Sequence, residues 1–252
     1  MGVAGVVFVH GVRTSRTMWR AQVEALTAAG RRAVAIDLPG HGRRAGEPFT
    51  LDGAVDAVAD AVDRFEGPVL VVGLSLGGYV SITYAARYPK NVVGLVAAAC
   101  STRPARIPMA AWMLAARAIG ALPDAGAGLN RFMAERTLTR AAALDVAAGG
   151  FALDVMDDVL REMSAATPLA DLARISAPVW LVNGRFDHFR TEERRFLAAC
   201  HDGRLVVVRG AKHLVNLDAP VAFGRVLLDA LVRVEASDPA QAPGPYPAHD
   251  PR

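Results

Sequence analysis

Cysteine is almost missing from this chain. Cys100 and Cys200 are the two in 252 residues, with no C-x-x-C spacing and no metal-ligand pattern around either, so a disulfide framework, a metal site and a thiol redox centre all lack support. Both thiols are expected to be free and mostly buried. Lysine is scarce as well: Lys90 and Lys212 stand within a Lys+Arg total of 28 against 25 acidic residues. The resulting net charge of +3 is spread along the chain as arginine. A nucleic-acid partner would require a basic stripe or cluster, and none is present. Long apolar runs are absent too. VVFV, VLVVG, LVAAA, VWLV and LVVV each fall far short of the roughly 20 residues that span a bilayer, and the apolar N-terminal stretch carries no basic segment ahead of it, as a secretory signal would. A cytoplasmic protein with no membrane partner is expected.

What remains is 52% apolar, enough over this length to build one full core. Short apolar runs, the mark of strands buried on both faces, alternate with segments of helical period. Strands are predicted at Val6 to Val9, Ala33 to Asp37, Val69 to Gly73 and Val92 to Ala98. Helices are predicted between them, near Trp19 to Ala29, Leu51 to Phe65 and from Ser75 to about Arg87. Between Thr102 and Arg174 the alternation stops, and about seventy residues read as helices and turns. It resumes with strands at Val179 to Val182 and Leu205 to Val208, a helix near Thr191 to Cys200 and a last helix at Val221 to Val234. The expectation is an α/β fold with a doubly wound, mostly parallel sheet. Its core would comprise residues 1–102 and 175–235, with a helical cap at 103–174. The proline-rich stretch 236–252 reads as a disordered tail.

The residues that can carry chemistry sit where strands end. Gly73-Leu74-Ser75-Leu76-Gly77-Gly78 joins an apolar strand to a helix, and a turn that sharp crowds the backbone on both sides of the serine, which glycine two before and two after relieves. The competing reading of Ser75 is an ordinary helix N-cap. A serine hydroxyl is a poor nucleophile and needs a base within hydrogen-bond reach. His213 follows the strand Leu205 to Val208 in Gly210-Ala211-Lys212-His213-Leu214, whereas His201 ends a helix, His249 lies in the tail, and His10 and His41 occupy early loops. An orienting carboxylate is expected after the preceding strand, where Asp187 stands. Ala99-Cys100-Ser101-Thr102, one strand earlier, offers none. His188 stays unassigned. The oxyanion of an acyl-transfer intermediate needs donors. Leu76 N–H, directly after Ser75, and Val12 N–H, in the His10-Gly11-Val12-Arg13 loop, are the candidates, with His10 holding that loop by hydrogen bonds.

His10-Gly11, Asp37-Leu38-Pro39-Gly40-His41-Gly42, Gly73 to Gly78, Gly184-Arg185-Phe186-Asp187 and Gly210 to His213 together resemble the α/β-hydrolase fold-1 superfamily, over roughly residues 3 to 234 outside the insert. The order Ser75, Asp187, His213 is the one that fold uses. The resemblance implies a serine hydrolase with a helical cap, similar to small esterases and methylesterases, and a loop-shaping role for Asp37 to Gly42. The predicted first strand corresponds to the family's third, so the first two are expected to be missing. Serine at position 75 argues against the aspartate-nucleophile dehalogenases and epoxide hydrolases. No cofactor or metal is implied.

The expected activity is hydrolysis of a carboxylic ester, thioester or lactone through an acyl-enzyme on Ser75. The same three residues could instead serve carbon–carbon bond hydrolysis or hydroxynitrile lysis, and a ligand receptor is a remote third reading. The insert is rich in methionine and aromatic residues, which makes a small hydrophobic substrate the expected partner. Arg13, Trp112, Met113, Phe132, Met133 and Leu214 are the candidate pocket residues, while Arg103, Arg106, Arg131, Arg136 and Arg140 of the insert could bind a carboxylate or phosphate but read first as solvated helix faces.

Overall fold

Six parallel strands form one sheet, β1 (Gly5–Val9), β2 (Ala33–Ile36), β3 (Val69–Leu74), β4 (Val92–Ala98), β5 (Val179–Gly184) and β6 (Gly203–Val208), in the order β2-β1-β3-β4-β5-β6. The structure, a computed structural model, describes residues 4–104, 109–122, 124 and 126–236, with the side chains of 109–113 and 116 outside the description. The predicted tail beyond residue 236, and Trp112 and Met113 as side chains, therefore lie outside the described residues. Among the described residues no strand precedes β1.

The apolar runs are continuous because both faces of the sheet are covered. Successive side chains of a strand point to opposite faces, and the core divides accordingly. Val6 and Phe8 pack with Leu70, Val72 and Trp180 against α1 (Arg20–Ala28) and α11 (Pro220–Ala236). Val7 and Val9 pack with Val71 and Leu181 against α2 (Leu51–Val62), α3 (Leu76–Arg87) and α9 (Glu193–Ala199). A short helix, α10 (Val215–Asp218), precedes α11. The helix predicted from Trp19 begins earlier, as a 3₁₀ turn at Arg16–Trp19 whose N-cap Ser15 accepts from Thr17 N–H. Cys100 is buried, Cys200 is half-buried, and both are free. No helix of the described residues is long and apolar enough to cross a membrane.

Between β4 and β5 the described residues form only helices: α4 (Met109–Gly120), α5 (Ala127–Thr137), α6 (Arg140–Ala148), α7 (Met156–Ser164) and α8 (Pro168–Leu172). In α7 the buried Met156, Val159, Leu160 and Met163 recur at the i, i+3, i+4, i+7 spacing of one helix face, and Val159 and Met163 join the same core as α2 and α3. Polar ties fix the segment to the sheet domain. Glu162 accepts from Leu51 N–H at 3.0 Å, Thr83 donates to Asp171 at 3.1 Å, and Ala152 N–H donates to the carbonyl of Arg13 at 3.3 Å. Arg103 pairs with Glu192 at 2.7 Å and is occupied there.

The loop after β2 is organised by the carboxylate of Asp37. It accepts from Arg16 N–H at 2.8 Å, from Arg43 N–H at 3.0 Å and from the Arg16 guanidinium. Gly42, at φ +53°, lies so near that a Cβ there would fall 2.5 Å from the Asp37 carboxyl carbon. Beside it, His10 donates from Nδ1 to the carbonyl of Gly11 at 2.8 Å and accepts at Nε2 from Leu38 N–H at 3.0 Å. Burial, with neighbouring His41, holds the His10 pKa down to about 3, so the ring is a neutral strut between the loops after β1 and β2. Burial alone would raise the Asp37 pKa, but the two backbone N–H donors and Arg16 pull it below the usual value. A carboxylate depressed on folding stabilises fully above the unfolded pKa of about 3.9 and loses that contribution as pH falls through the lower folded value. Asp37→Ala is therefore expected to cost about 3 kcal/mol in urea unfolding at pH 7, with the gap to wild type narrowing below about pH 4.

Candidate active site

The strand order reverses direction between β1 and β3, the switch point at which the loops beyond the carboxyl ends of a parallel sheet splay apart and leave a crevice. The loop Gly11 to Thr14 leaves β1 there, and Ser75 leaves β3. Asp187 and His213 come from the corresponding ends of β5 and β6.

Ser75 connects β3 to α3 at φ 55° and ψ −116°, a left-handed conformation that a side chain strains to adopt. Its own N–H donates to the carbonyl of Ala98 at 2.8 Å, which pins the turn to β4. A Cβ on Gly73 would fall 2.2 Å from the carbonyl oxygen of Gly77, and one on Gly77 would fall 2.2 Å from that of Val9. The two glycines thus let the turn close on itself and on the end of β1. Their effect is to raise the hydroxyl of Ser75 toward the loops above the sheet.

Gly184 has a comparable role at the end of β5, where a Cβ would fall 2.0 Å from the carbonyl oxygen of Lys212. That close approach, with Phe186 N–H donating to the carbonyl of Ala211 at 3.0 Å, brings the turn bearing Asp187 beside the loop bearing His213. Asp187 Oδ1 accepts from His213 Nδ1–H at 2.9 Å and from Phe189 N–H at 2.9 Å. With Nδ1 protonated toward the carboxylate, Nε2 is left as acceptor and faces Ser75 Oγ at 3.0 Å. Asp187 is buried. Burial raises its pKa, but the hydrogen bond and charge of His213 outweigh that and leave it below the usual carboxylate value, so it is ionised at neutral pH.

Leu76 opens α3, where a helix leaves its first N–H groups unpaired. Among the described residues neither Leu76 N–H nor Val12 N–H meets an acceptor, and the loop of Val12 lies against the serine, since a Cβ on Gly11 would stand 3.5 Å from Ser75 Cβ. A cavity of about 260 Å³ opens on Ser75 and His213 beneath α5, α6 and α7. Of the predicted pocket residues Arg13, Met133 and Leu214 line it, together with Val12. Phe132 is not in the lining: one residue along a helix turns by about 100°, which takes Phe132 off the face by which Met133 reaches the cavity. His188 and Phe189 line the cavity as well. The sequence alone assigns no role to His188 and does not single out Phe189, whose ring stands 5.0 Å from that of His213. A local signal for Phe189 existed, since an aspartate commonly binds the backbone N–H two residues on.

The family model of the alpha/beta hydrolase family matches residues 6–226. Over 243 residues the chain is 30% identical to a pimeloyl-[acyl-carrier protein] methyl ester esterase of Neisseria meningitidis, covering 90% of this chain and 93% of that protein. A lipase of Mycobacterium tuberculosis is 39% identical over 97 residues, which span 38% of this chain and 36% of the lipase. Among solved structures, a thermophilic esterase from Thermogutta terrifontis superposes with a TM-score of 0.72 at 23% identity, over 92% of this chain and 90% of the other, a likeness of fold.

Two substitutions separate geometry from chemistry in the turn. Gly77→Ala, which puts a methyl group into backbone that cannot move aside, is expected to cost about 3 kcal/mol or more in thermal or urea unfolding. Ser75→Gly, which relieves the left-handed strain, is expected to raise Tm by about 2–4 °C.

Proposed function

We propose, for a chain that belongs to the alpha/beta hydrolase family and is a hydrolase of the carboxylic-ester class, that Ser75 is the nucleophile, His213 its general base and Asp187 the carboxylate that fixes the imidazole, acting on a small, largely hydrophobic ester. The observation that carries this reading is the unbroken line of hydrogen bonds from Ser75 Oγ to His213 Nε2 at 3.0 Å and from His213 Nδ1 to Asp187 at 2.9 Å, ending on the floor of a cavity.

In the first half-reaction Ser75 Oγ attacks the ester carbonyl as its proton passes to His213 Nε2. The carbonyl oxygen becomes an oxyanion, and Val12 N–H and Leu76 N–H are the donors that receive it. Asp187 stabilises the imidazolium without taking its proton. Collapse of the intermediate breaks the bond to the alcohol oxygen, which leaves with the proton from His213, and the acyl group remains on Ser75. Water, deprotonated by the same nitrogen, then attacks the acyl-enzyme and releases the acid. The hydrophobic preference is supported by the apolar walls that Leu74, Met133, Leu138, Phe151 and Met156 give the cavity. The names of the relatives, an esterase and a lipase, support an ester as the scissile group.

A fluorophosphonate probe is expected to label the wild type once and to fail on Ser75→Ala, and the same variant is expected to lose hydrolysis of p-nitrophenyl esters from acetyl to decanoyl. Labelling that persists in Ser75→Ala would overturn the nucleophile assignment. Labelling of the wild type without hydrolysis of any ester in the series would overturn the ester reading in favour of lyase or carbon–carbon chemistry. Asp187→Asn, which removes the acceptor that fixes the tautomer, is expected to lower kcat on the order of 10⁴-fold with the fold intact by circular dichroism.

A further inference from the structure

Among the described residues Arg13 is the arginine that lines the cavity, and it has no acidic partner there. It lines the cavity with Ser75 and His213, and among the described residues no aspartate or glutamate shares that lining. Among the described residues no carboxylate lies within ion-pair distance of it and no side-chain hydrogen bond engages its guanidinium. Other arginines held partly inside the protein are matched: Arg16 with Asp37, Arg31 with Glu235, Arg103 with Glu192 and Arg190 with Glu193. Burial disfavours the Arg13 cation, with no acidic neighbour to offset it, and a guanidinium cannot escape the cost by giving up its proton at neutral pH.

The backbone adds a second and independent cost. Arg13 sits at φ 63°, one of three non-glycine residues at positive φ among the described residues, with Ser75 and Ala99. That region costs an L-residue roughly 1–2 kcal/mol and costs glycine almost nothing. An unpaired, half-buried charge on a strained backbone beside the nucleophile is the kind of outlier from which a function is inferred.

We infer that Arg13 anchors an acidic group of the substrate, so that the preferred ester carries a free carboxylate in addition to the ester that Ser75 attacks. The inference rests on the hydrolase reading given above. A guanidinium presents two parallel N–H donors that match a carboxylate, and one cation neutralises one such group. Among the described residues the cavity supplies little for a second negative charge: His188, also in its lining, is kept below its ordinary pKa first by burial and then by neighbouring His213, and is neutral at pH 7. A monocarboxylate is therefore favoured over a doubly charged phosphate. The remaining described lining is mainly apolar, with Thr14, Asn130 and Thr137 as uncharged polar members, so the substrate is an acid-bearing ester with a short, largely apolar body, such as the half-ester of a dicarboxylic acid.

The test compares matched pairs that differ by the carboxylate: monomethyl glutarate against methyl pentanoate for an acid on the acyl side, and 4-acetoxybenzoate against phenyl acetate for one on the alcohol side. Arg13→Met is expected to lower kcat/KM at least tenfold on the acidic member of one pair and less than threefold on its neutral partner. Arg13→Gly is expected to show the same selective loss while raising Tm by about 2–4 °C, which excludes misfolding as the cause, and Arg13→Lys should recover part of the preference. Titration calorimetry of Ser75→Ala with the acidic esters gives a readout without turnover, in which Arg13→Met on that background weakens binding at least tenfold. Equal losses on acidic and neutral members, or no loss on either acidic member, would overturn the inference. Hydrolysis undiminished in Ser75→Ala would instead overturn the nucleophile, and the binding comparison would still decide the role of Arg13.

Discussion

Ser75 occupies backbone angles that a side chain resists, and the structure around it is arranged so that the chain has no alternative. The turn closes against the carbonyl oxygens of Gly77 and Val9 at distances only hydrogen fits, and the hydrogen bond from Ser75 N–H to Ala98 ties it to β4. Because the strands are parallel and in register, the same edge of the sheet carries the ends of β1, β5 and β6. The serine, the loop of Val12, Asp187 and His213 are consequently held by one rigid platform. The entropic cost of assembling four loops is met largely by the packing of the sheet, since a site built on rigid elements inherits their precision.

Charge is distributed by the same logic. His10 is buried, neutral and engaged at both ring nitrogens, so its imidazole joins two loops and has no free nitrogen for proton transfer. His213 differs by its acceptor: an ionised, buried Asp187 faces Nδ1, and Nε2 is left for the hydroxyl. Asp37 and Asp187 are both carboxylates held ionised in partly dry surroundings by N–H donors, one supporting a loop and the other the imidazole of His213. Arg13 is the exception, a charge inside the cavity that meets no carboxylate among the described residues.

Much of this could be read from residue order. The strands were legible because parallel strands covered on both faces become short runs of Val, Leu and Ile, and only their ends moved, as when β6 began at Gly203 rather than Leu205. Asp187 and His213 were legible because loops that follow strands in a parallel sheet must converge at one edge, so the position of a residue after its strand is a position in space. The insert was less legible. Amphipathic spacing marks α7 as a packed helix but cannot say which of Phe132 and Met133 faces Ser75, because both are large, apolar and adjacent, and the rotation of α5 about its own axis is set by contacts distant in sequence.

The sequence by itself determined the alternation of elements, the tight turn at Ser75 and the residue types able to move a proton beside it, since each follows from local sterics and from the period of the hydrophobic pattern. Tertiary structure alone decided which side chains share the cavity with the serine, that His188 and Phe189 belong to it, and that Arg13 reaches it without a carboxylate partner among the described residues. Those depend on distances between segments far apart along the chain, which no local pattern encodes.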